Sequence, residues 1–507
     1  MNKQINFLVA ILCIIKLTLH ALADSHSGLH SDELLHIETG NHLALGYMEF
    51  PPFIGLLASI QNLFHSESIF IHHISVYVAI VFIFILTAKT VVEFGGEIRA
   101  VFLALLAILI SPGHAGSQQL FQPVVFSQLF WILSFYQLLR YIKYLDKRYL
   151  WYLTFSVTLA FLTKYDAFFF ISGLAALLFF KHTRQSLFVH QFWWNILFFL
   201  LIISPNIYWQ YANNFPMFMM FGRLYETQLN ELTTSGILVE LFLSINPLNI
   251  LFIAVAVIYM FQTDMKHYRP AGLAILLSII FLILSKGKSY YFFPTILTIF
   301  PFGAVYLERV MISGKKWLFY PLSIVLLIGV ILIPIALPLH ALKDYLNTYY
   351  PYVKEDVKGS KYPLRFEQRY IHLQWQETMS ALTEVYQSLN PVEREDVLIW
   401  GKHYGQAGAV NLFGDRYELP NAFSTHGSFY SWLPHGIIPQ TVIALRYSEA
   451  DGGRHFEPYF EEVVFVKSIY NPYADEEERL WQSIFICRNP KLTFDELKTL
   501  FAHRIFE

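Results

Sequence analysis

Four carboxylates, Asp32, Glu33, Glu38 and Glu49, and two histidines, His36 and His42, fall between Ser31 and the pair Pro51-Pro52. Carboxylates gathered in one short stretch can take protons as general bases or hold a divalent cation. Asp32 and His36 are four residues apart, the helical spacing that puts two side chains on one face. Imidazole there serves as a hydrogen-bonding group or as a metal ligand. The plain alternative is a helix start, with Ser31 or Asp32 as N-cap and the acids of the first turn favoured by the helix dipole. A cap leaves unexplained why Glu38, His42, Tyr47 and Glu49 follow in the same connection.

Cations form the second group. Lys164-Tyr165-Asp166 interrupts two apolar stretches, and Ser285-Lys286-Gly287-Lys288-Ser289 does the same before Tyr290 and Tyr291. Lysine, serine and backbone donors around a glycine can hold a phosphate, although the G-x-x-x-x-G-K-[ST] spacing is absent. The bland readings are snorkelling side chains at helix ends for the lysines and an interfacial belt for the tyrosines.

These residues are carried by an apolar chain. Of 507 residues, 55% are hydrophobic and 15% charged, with mean hydropathy +0.43. Soluble domains average about 25% charged residues. Apolar runs long enough to suggest membrane spans recur at 5–23, 69–92, 99–112, 123–143, 149–163, 166–180, 190–209, 237–261, 271–285, 290–307 and 317–340. The first reads as an uncleaved span, despite Ala21-Leu22-Ala23, because a polytopic chain follows it. With the N-terminus inside, alternate loops hold Arg99; Lys143, Lys147 and Arg148; Lys181 and Arg184; Lys266 and Arg269; and Arg309, Lys315 and Lys316. That is the positive-inside pattern. Lys164, Arg223, Lys286 and Lys288 break it, on the same side as the acidic stretch. Together they read as an anion-binding set suited to phosphate oxygens. Residues 53–64 are too short to span and read as an interfacial amphipathic helix.

After Pro334 and Pro338 the composition becomes that of a soluble domain. Strand-like runs at Val397–Trp400, Thr441–Leu445, Val463–Val466 and Ser483–Cys487 alternate with helix-like stretches at Leu373–Leu389 and Asp495–Phe501, which suggests a small α/β domain. An odd number of spans puts it outside. The expected division is a membrane domain over 1–340, with a first outer loop at 24–68, and an extracytoplasmic domain over 341–507. Net charge −2 gives no basic surface for nucleic acid, and Cys13 and Cys487 are too few for a disulfide framework or a Cys-rich metal site.

The order of motifs resembles the bacterial branch of the dolichyl-phosphate-mannose–protein mannosyltransferase family, similar to the aminoarabinose transferases of lipid A. The resemblance rests on Asp32-Glu33 after the first span, Gly46-Tyr47…Pro51-Pro52, Leu162-Thr163-Lys164-Tyr165 and Ser204-Pro205-Asn206…Trp209. It continues in Lys288-Ser289-Tyr290-Tyr291…Pro294, Tyr404-Gly405-Gln406-Ala407-Gly408-Ala409, Leu419-Pro420 and Ser424-Thr425-His426. It implies a mainly α polytopic membrane protein of the GT-C type, with about 11 transmembrane helices and a C-terminal extracytoplasmic α/β domain. It further implies a bacterial inner-membrane glycosyltransferase that takes a sugar from a polyprenyl-phosphate donor to a lipid, glycan or protein acceptor. The family's first-loop acid falls on Asp32, with Glu33 and Glu49 as further catalytic acids. Lys164, Arg223, Lys288, Tyr290 and Tyr291 would bind the donor phosphate. His36, His42 and Tyr47 would support the loop or the acceptor, and a divalent metal is a candidate cofactor. The chain departs from the family at Phe50, where members often carry His or Lys, and at Gln122-Pro123-Val124, where relatives often read Thr-Pro-Asp.

Two other classes stay open: a transporter or flippase of a lipid-linked or anionic solute, and a non-catalytic homologue. A transporter is expected to keep its charges near the membrane midplane, between broken helices. Here the cations that break the inside rule lie at expected outer ends.

Overall fold

The computed structural model describes residues 1–504 apart from 188–189, 313–314, 355 and 365–369. Helical structure forms on each of the eleven expected apolar segments. Among the described residues, six stretches are long and apolar enough to cross a membrane: Lys3–Asp24, Ile69–Glu93, Gln191–Ala212, Met265–Leu284, Ser289–Val310 and Lys316–Ala336. Two more segments are bent pairs: Ala167–Phe179 with Lys181–Leu187 at 112°, and Thr234–Ser244 with Pro247–Met260 at 99°. Counting each pair as one span gives up to eight. Ile98–Leu109 has 12 residues, too few for the roughly 20 that a span needs. By length and composition the described residues thus give six to eight spans, and the expected eleven stands as a number of helical segments. The chain is a multi-pass membrane protein.

The second bend turns at Asn246. Asn246 sits at φ +75°, and its buried amide donates to the carbonyls of Ile110 (2.9 Å) and Gly329 (3.1 Å). Pro247 follows and has no N–H with which to continue the preceding helix. The short helix Ile98–Leu109 is held at its start by a distant side chain. Glu308, 2% exposed, accepts from the amides of Glu97 (2.7 Å) and Ala100 (2.9 Å). Polar groups also lie within the spans: Lys16 and His20 are buried in the first, and His20 Nδ1 pairs with Gln119 Oε1 at 2.6 Å.

The chain divides into two compact units. One comprises Met1–Ala21, Phe50–Phe53 and His73–Leu337, and the other Leu22–Glu49, Ile54–His72 and Pro338–Glu507. The second unit holds a five-stranded mixed sheet in the order β2-β1-β3-β5-β4. Its strands are β1 (Val397–Gly401), β2 (Ala422–Phe423), β3 (Thr441–Tyr447), β4 (Phe460–Tyr470) and β5 (Trp481–Pro490). β1 runs parallel to β2 and β3, and β5 antiparallel to β3 and β4. Trp400, Val442, Ala444, Phe485 and Cys487 from the strands pack with Phe494, Leu497 and Phe501 of the helix Phe494–Phe501. All four expected strands form, each at full ladder length, and β2 is added. The helix Ile371–Ser388 covers the expected 373–389 except for Leu389, its C-cap, and its Trp375 indole donates to Leu29 O at 2.8 Å.

Candidate active site

Asp32 lies on the helix Ser31–Glu38 of the second unit. That helix packs along the helix Tyr404–Phe413 at very close range. A Cβ added at Gly405 would come within 2.6 Å of Ser31 Cβ, and one at Gly408 within 2.9 Å of Leu34 Cβ. Only glycine's missing side chain allows that approach. Asn411 donates to Glu38 Oε1 at 3.3 Å further along, so the two helices run side by side in the same direction. The result is that Tyr404 OH reaches Asp32 Oδ1 and donates to it at 2.7 Å.

The helix start is not the one expected from Ser31 or Asp32. The N-cap is His30, whose Nδ1 accepts from Asp32 N at 3.2 Å, while Glu33 Oε2 accepts from His30 N at 2.7 Å. Glu33 is fully buried and closes this capping box. It is therefore set apart from its expected place among the catalytic acids, and Asp32 is released from the cap. His36 is buried one turn along and lowers the Asp32 pKa through its charge.

Glu49 belongs to the same unit. The Ser428 amide donates to Glu49 Oε1 at 2.9 Å, and the Ser428 hydroxyl donates to Oε2. The same hydroxyl accepts from Met48 N at 3.1 Å, which ties the carboxylate to its own backbone. Gly427, at φ +60°, makes this possible: a Cβ there would lie 2.1 Å from Glu49 Oε1.

The two carboxylates are biased in opposite directions. Burial alone would raise Asp32, but the charge of His30, the Tyr404 hydroxyl, and the charges of His36 and Arg479 outweigh it and hold Asp32 below the ordinary carboxylate value. Burial raises Glu49, against the two Ser428 hydrogen bonds, and the Asp32 charge adds to the rise. Burial and the charge of Asp32 likewise drive the Tyr404 hydroxyl well above its usual value, so it stays a donor. His403 and His426 pack about Tyr404, with ring centroids 4.1 and 4.9 Å away, the first tilted and the second stacked. Burial lowers both, His426 to about 3, so they are neutral walls. Paired titratable groups pushed apart in this way are the usual arrangement of acid–base chemistry.

The loop residues hold the stretch in shape. Tyr47 is buried; its hydroxyl donates to Thr39 O at 3.1 Å and accepts from Ala44 N at 3.3 Å. His42 stacks on Trp432 at 4.4 Å and pairs with Glu38 at 3.3 Å.

The cations belong to the first unit. Lys164 pairs with Asp166 at 3.0 Å and lies over the rings of Tyr291 (3.9 Å) and Tyr290 (5.4 Å). Asp166 accepts from Ser127 Oγ at 3.0 Å. The tip carrying Lys164 is thus brought against Tyr290 and Tyr291, which follow Lys288 in the chain. Lys288 reaches Gln228, and Lys286 Nζ donates to Asn230 O at 2.7 Å. This fixes the lysine loop to the segment that follows Arg223, which is exposed at the end of the helix Pro216–Leu224. Among the described residues no group of three or more His, Cys, Asp and Glu is placed to hold a metal ion.

Tyr404, Ser428, Gly427 and Arg479 were not singled out as site residues from the sequence. The available signals were the motif that begins at Tyr404 and, within it, Gly405-x-x-Gly408, a small-residue spacing that foretells a close helix neighbour.

Residues 50–209 match the family described as dolichyl-phosphate-mannose-protein mannosyltransferase. That stretch contains Lys164 and stops short of Asp32 and Glu49. No curated protein matches the chain. Among solved structures it is similar to ArnT from Cupriavidus metallidurans bound to undecaprenyl phosphate, with TM-score 0.61 and 13% identity over 94% of this chain and 97% of that one. The apo state of the same ArnT gives TM-score 0.60 and 12% identity, over 95% and 98%. At such identities the likeness is one of fold. In sequence the chain is similar to the dolichyl-phosphate-mannose-protein mannosyltransferases over 50–209, and over nearly its whole length its fold is similar to that of ArnT.

Proposed function

We propose that the chain moves a sugar from a polyprenyl-phosphate donor to an extracytoplasmic lipid, glycan or protein acceptor, with inversion at the anomeric carbon. The observation that carries this reading is Asp32, which accepts from the Tyr404 hydroxyl at 2.7 Å and is held below the ordinary carboxylate value by the charge of His30 and by that hydrogen bond. The acceptor hydroxyl oxygen attacks the anomeric carbon as the bond from that carbon to the phosphate oxygen breaks. The electron pair leaves with the phosphate, and the acceptor proton passes to Asp32. One displacement inverts the centre. Phosphate needs charge stabilisation more than protonation as it leaves. Lys164, Arg223 and Lys288 supply it, as preorganised donors do in other transfers. Tyr290 and Tyr291 keep the Lys164 ammonium in place by cation–π contact. Glu49 supports the loop that presents Asp32. In this reading the second unit lies outside a bacterial inner membrane.

Deleting the protein in its host should remove one sugar from a surface lipid, glycan or protein and leave sugar-loaded polyprenyl phosphate to accumulate. Mass spectrometry of both pools checks this, and two unchanged pools would sink the reading. Lys288→Ala should raise the KM for the donor by about tenfold, the cost of losing one hydrogen bond to a charged group. A donor KM equal to that of the parent would remove Lys288 from the phosphate site.

A further inference from the structure

A pocket of about 200 Å³ lies wholly within the second unit. It is enclosed by the loop Ser27–Leu29, by Glu67 and Ile69, by one face of the helix Ile371–Ser388, and by the turn that follows the helix Tyr404–Phe413. Two of these fix its level. Ile69 is the first residue of the span Ile69–Glu93, and Ser27 stands three residues past the end of the span Lys3–Asp24. Spans end where hydrocarbon gives way to lipid headgroups, so the pocket stands at the membrane surface.

Its walls are held in place by the chain itself. A Cβ added at Gly28 would come within 2.8 Å of the His372 backbone nitrogen, so the loop lies directly on the start of the helix Ile371–Ser388. The Trp375 indole N–H is spent on Leu29 O, which leaves the ring as an apolar face. Leu29, Trp375 and Met379 are buried, while Ile69 and Phe413 are half-buried and keep some apolar surface. Two charges complete the lining, Arg416 and Glu67, both exposed. Among the described residues neither has a hydrogen-bond or ion-pair partner, and they do not pair with each other. His372 adds no charge at neutral pH, because burial and the charge of His26 hold it below its ordinary value.

Each feature selects. A guanidinium matches the oxygens of a phosphate, and a carboxylate accepts from an ammonium N–H. A polyprenyl phosphate would answer Arg416 but leave its phosphate beside the Glu67 carboxylate. A simple cation would answer Glu67 and be repelled by Arg416. A zwitterion that carries phosphate and ammonium on an apolar tail answers both charges and the surface of Ile69 and Phe413. At roughly 30 Å³ per water the pocket has the room of about seven waters, enough for a phosphoethanolamine group whose acyl chains stay in the bilayer.

We propose that this pocket binds the headgroup of phosphatidylethanolamine, with its phosphate on Arg416 and its ammonium on Glu67. The loop Ser27–Leu29 runs directly into His30, the N-cap of the helix that carries Asp32, and Phe413 ends the helix that carries Tyr404. The bound lipid thus braces both elements that bring Asp32 and Tyr404 together. The test uses the full chain in detergent and native mass spectrometry. The probes are phosphatidylethanolamine, phosphatidylglycerol and phosphatidylcholine with identical acyl chains, and soluble glycerophosphoethanolamine. Phosphatidylethanolamine should bind about fivefold more tightly than phosphatidylglycerol, which has no ammonium, the worth of one part-exposed ion pair. Phosphatidylcholine has no N–H for Glu67 and should bind more weakly too, as should the soluble headgroup, which has no tail. Glu67→Gln should bring phosphatidylethanolamine down to the level of phosphatidylglycerol, and Arg416→Gln should weaken both. Both positions are exposed, so neither substitution threatens the fold. Equal binding of the ethanolamine and glycerol lipids, a preference that survives Glu67→Gln, or binding of the ethanolamine lipid that survives Arg416→Gln would overturn the proposal. So would phosphatidylcholine or glycerophosphoethanolamine bound as tightly as phosphatidylethanolamine. The readout is lipid binding and not transfer, so failure of the transfer reading leaves the pocket standing, and the reverse.

Discussion

Asp32→Asn should lower the rate of sugar transfer by about 10²–10⁴-fold, the usual worth of a positioned general base. The substitution keeps the shape of the side chain and an oxygen for Tyr404 to donate to. It leaves the capping box of His30 and Glu33 untouched, so the helix Ser31–Glu38 still forms. What it removes is the proton acceptor. Single-turnover transfer from a polyprenyl-phosphate donor measures the loss, and a rate equal to the parent's would take the base role from Asp32. The pH dependence gives an independent check. Asp32 works ionised, so activity falls as pH drops through its pKa. The Tyr404 hydroxyl lowers that pKa by hydrogen bonding. Tyr404→Phe therefore raises it and moves the acid limb of the kcat profile to higher pH. An unmoved limb would show that Tyr404 does not tune the base.

Gly427→Ala should cost transfer on the order of 10²-fold, comparable to removing a preorganised catalytic contact. Two effects combine. The residue sits at φ +60°, where a side chain is strained, and its Cβ would lie 2.1 Å from Glu49 Oε1, so the carboxylate must leave its Ser428 donors. Gly436→Ala separates them. Gly436 is also left-handed, at φ +88°, but a Cβ there meets nothing within 4 Å. Both variants should lose stability of about 1–3 kcal/mol from backbone strain, read from thermal melting. Only Gly427→Ala should lose transfer beyond what that loss explains. Equal transfer losses in the two variants would mean that Glu49 placement does not matter.

The positions of helices and strands were legible because hydropathy and alternation are local. The bends were not. Apolar composition runs through the one at Asn246, which is set by carbonyls of Ile110 and Gly329, far away in sequence. At the site, Asp32 and Glu49 stood out as acids near the edge of an apolar chain. Glu33 looked equivalent to Asp32 because its capping partner is a histidine, His30, which does not signal a cap as serine or aspartate would. Lys164, Tyr290 and Tyr291 could be grouped by type and side, and they do meet. Tyr404 could not be paired with Asp32, since nothing in either stretch encodes a partner 372 residues off.

That separation sets an order on biosynthesis. Ribosomes add about 5–20 residues per second, so Tyr404 emerges roughly 20–75 s after Asp32. During that interval the spans between them are being inserted, and the helix Ser31–Glu38 waits without the glycines of Tyr404–Phe413 to pack on. A chain whose synthesis stops early leaves a bundle in the bilayer with its base unplaced. On the proposed reading, transfer is therefore conferred last, by the final third of the chain, and truncated products in the membrane carry the donor-site cations without the placed base that would use them.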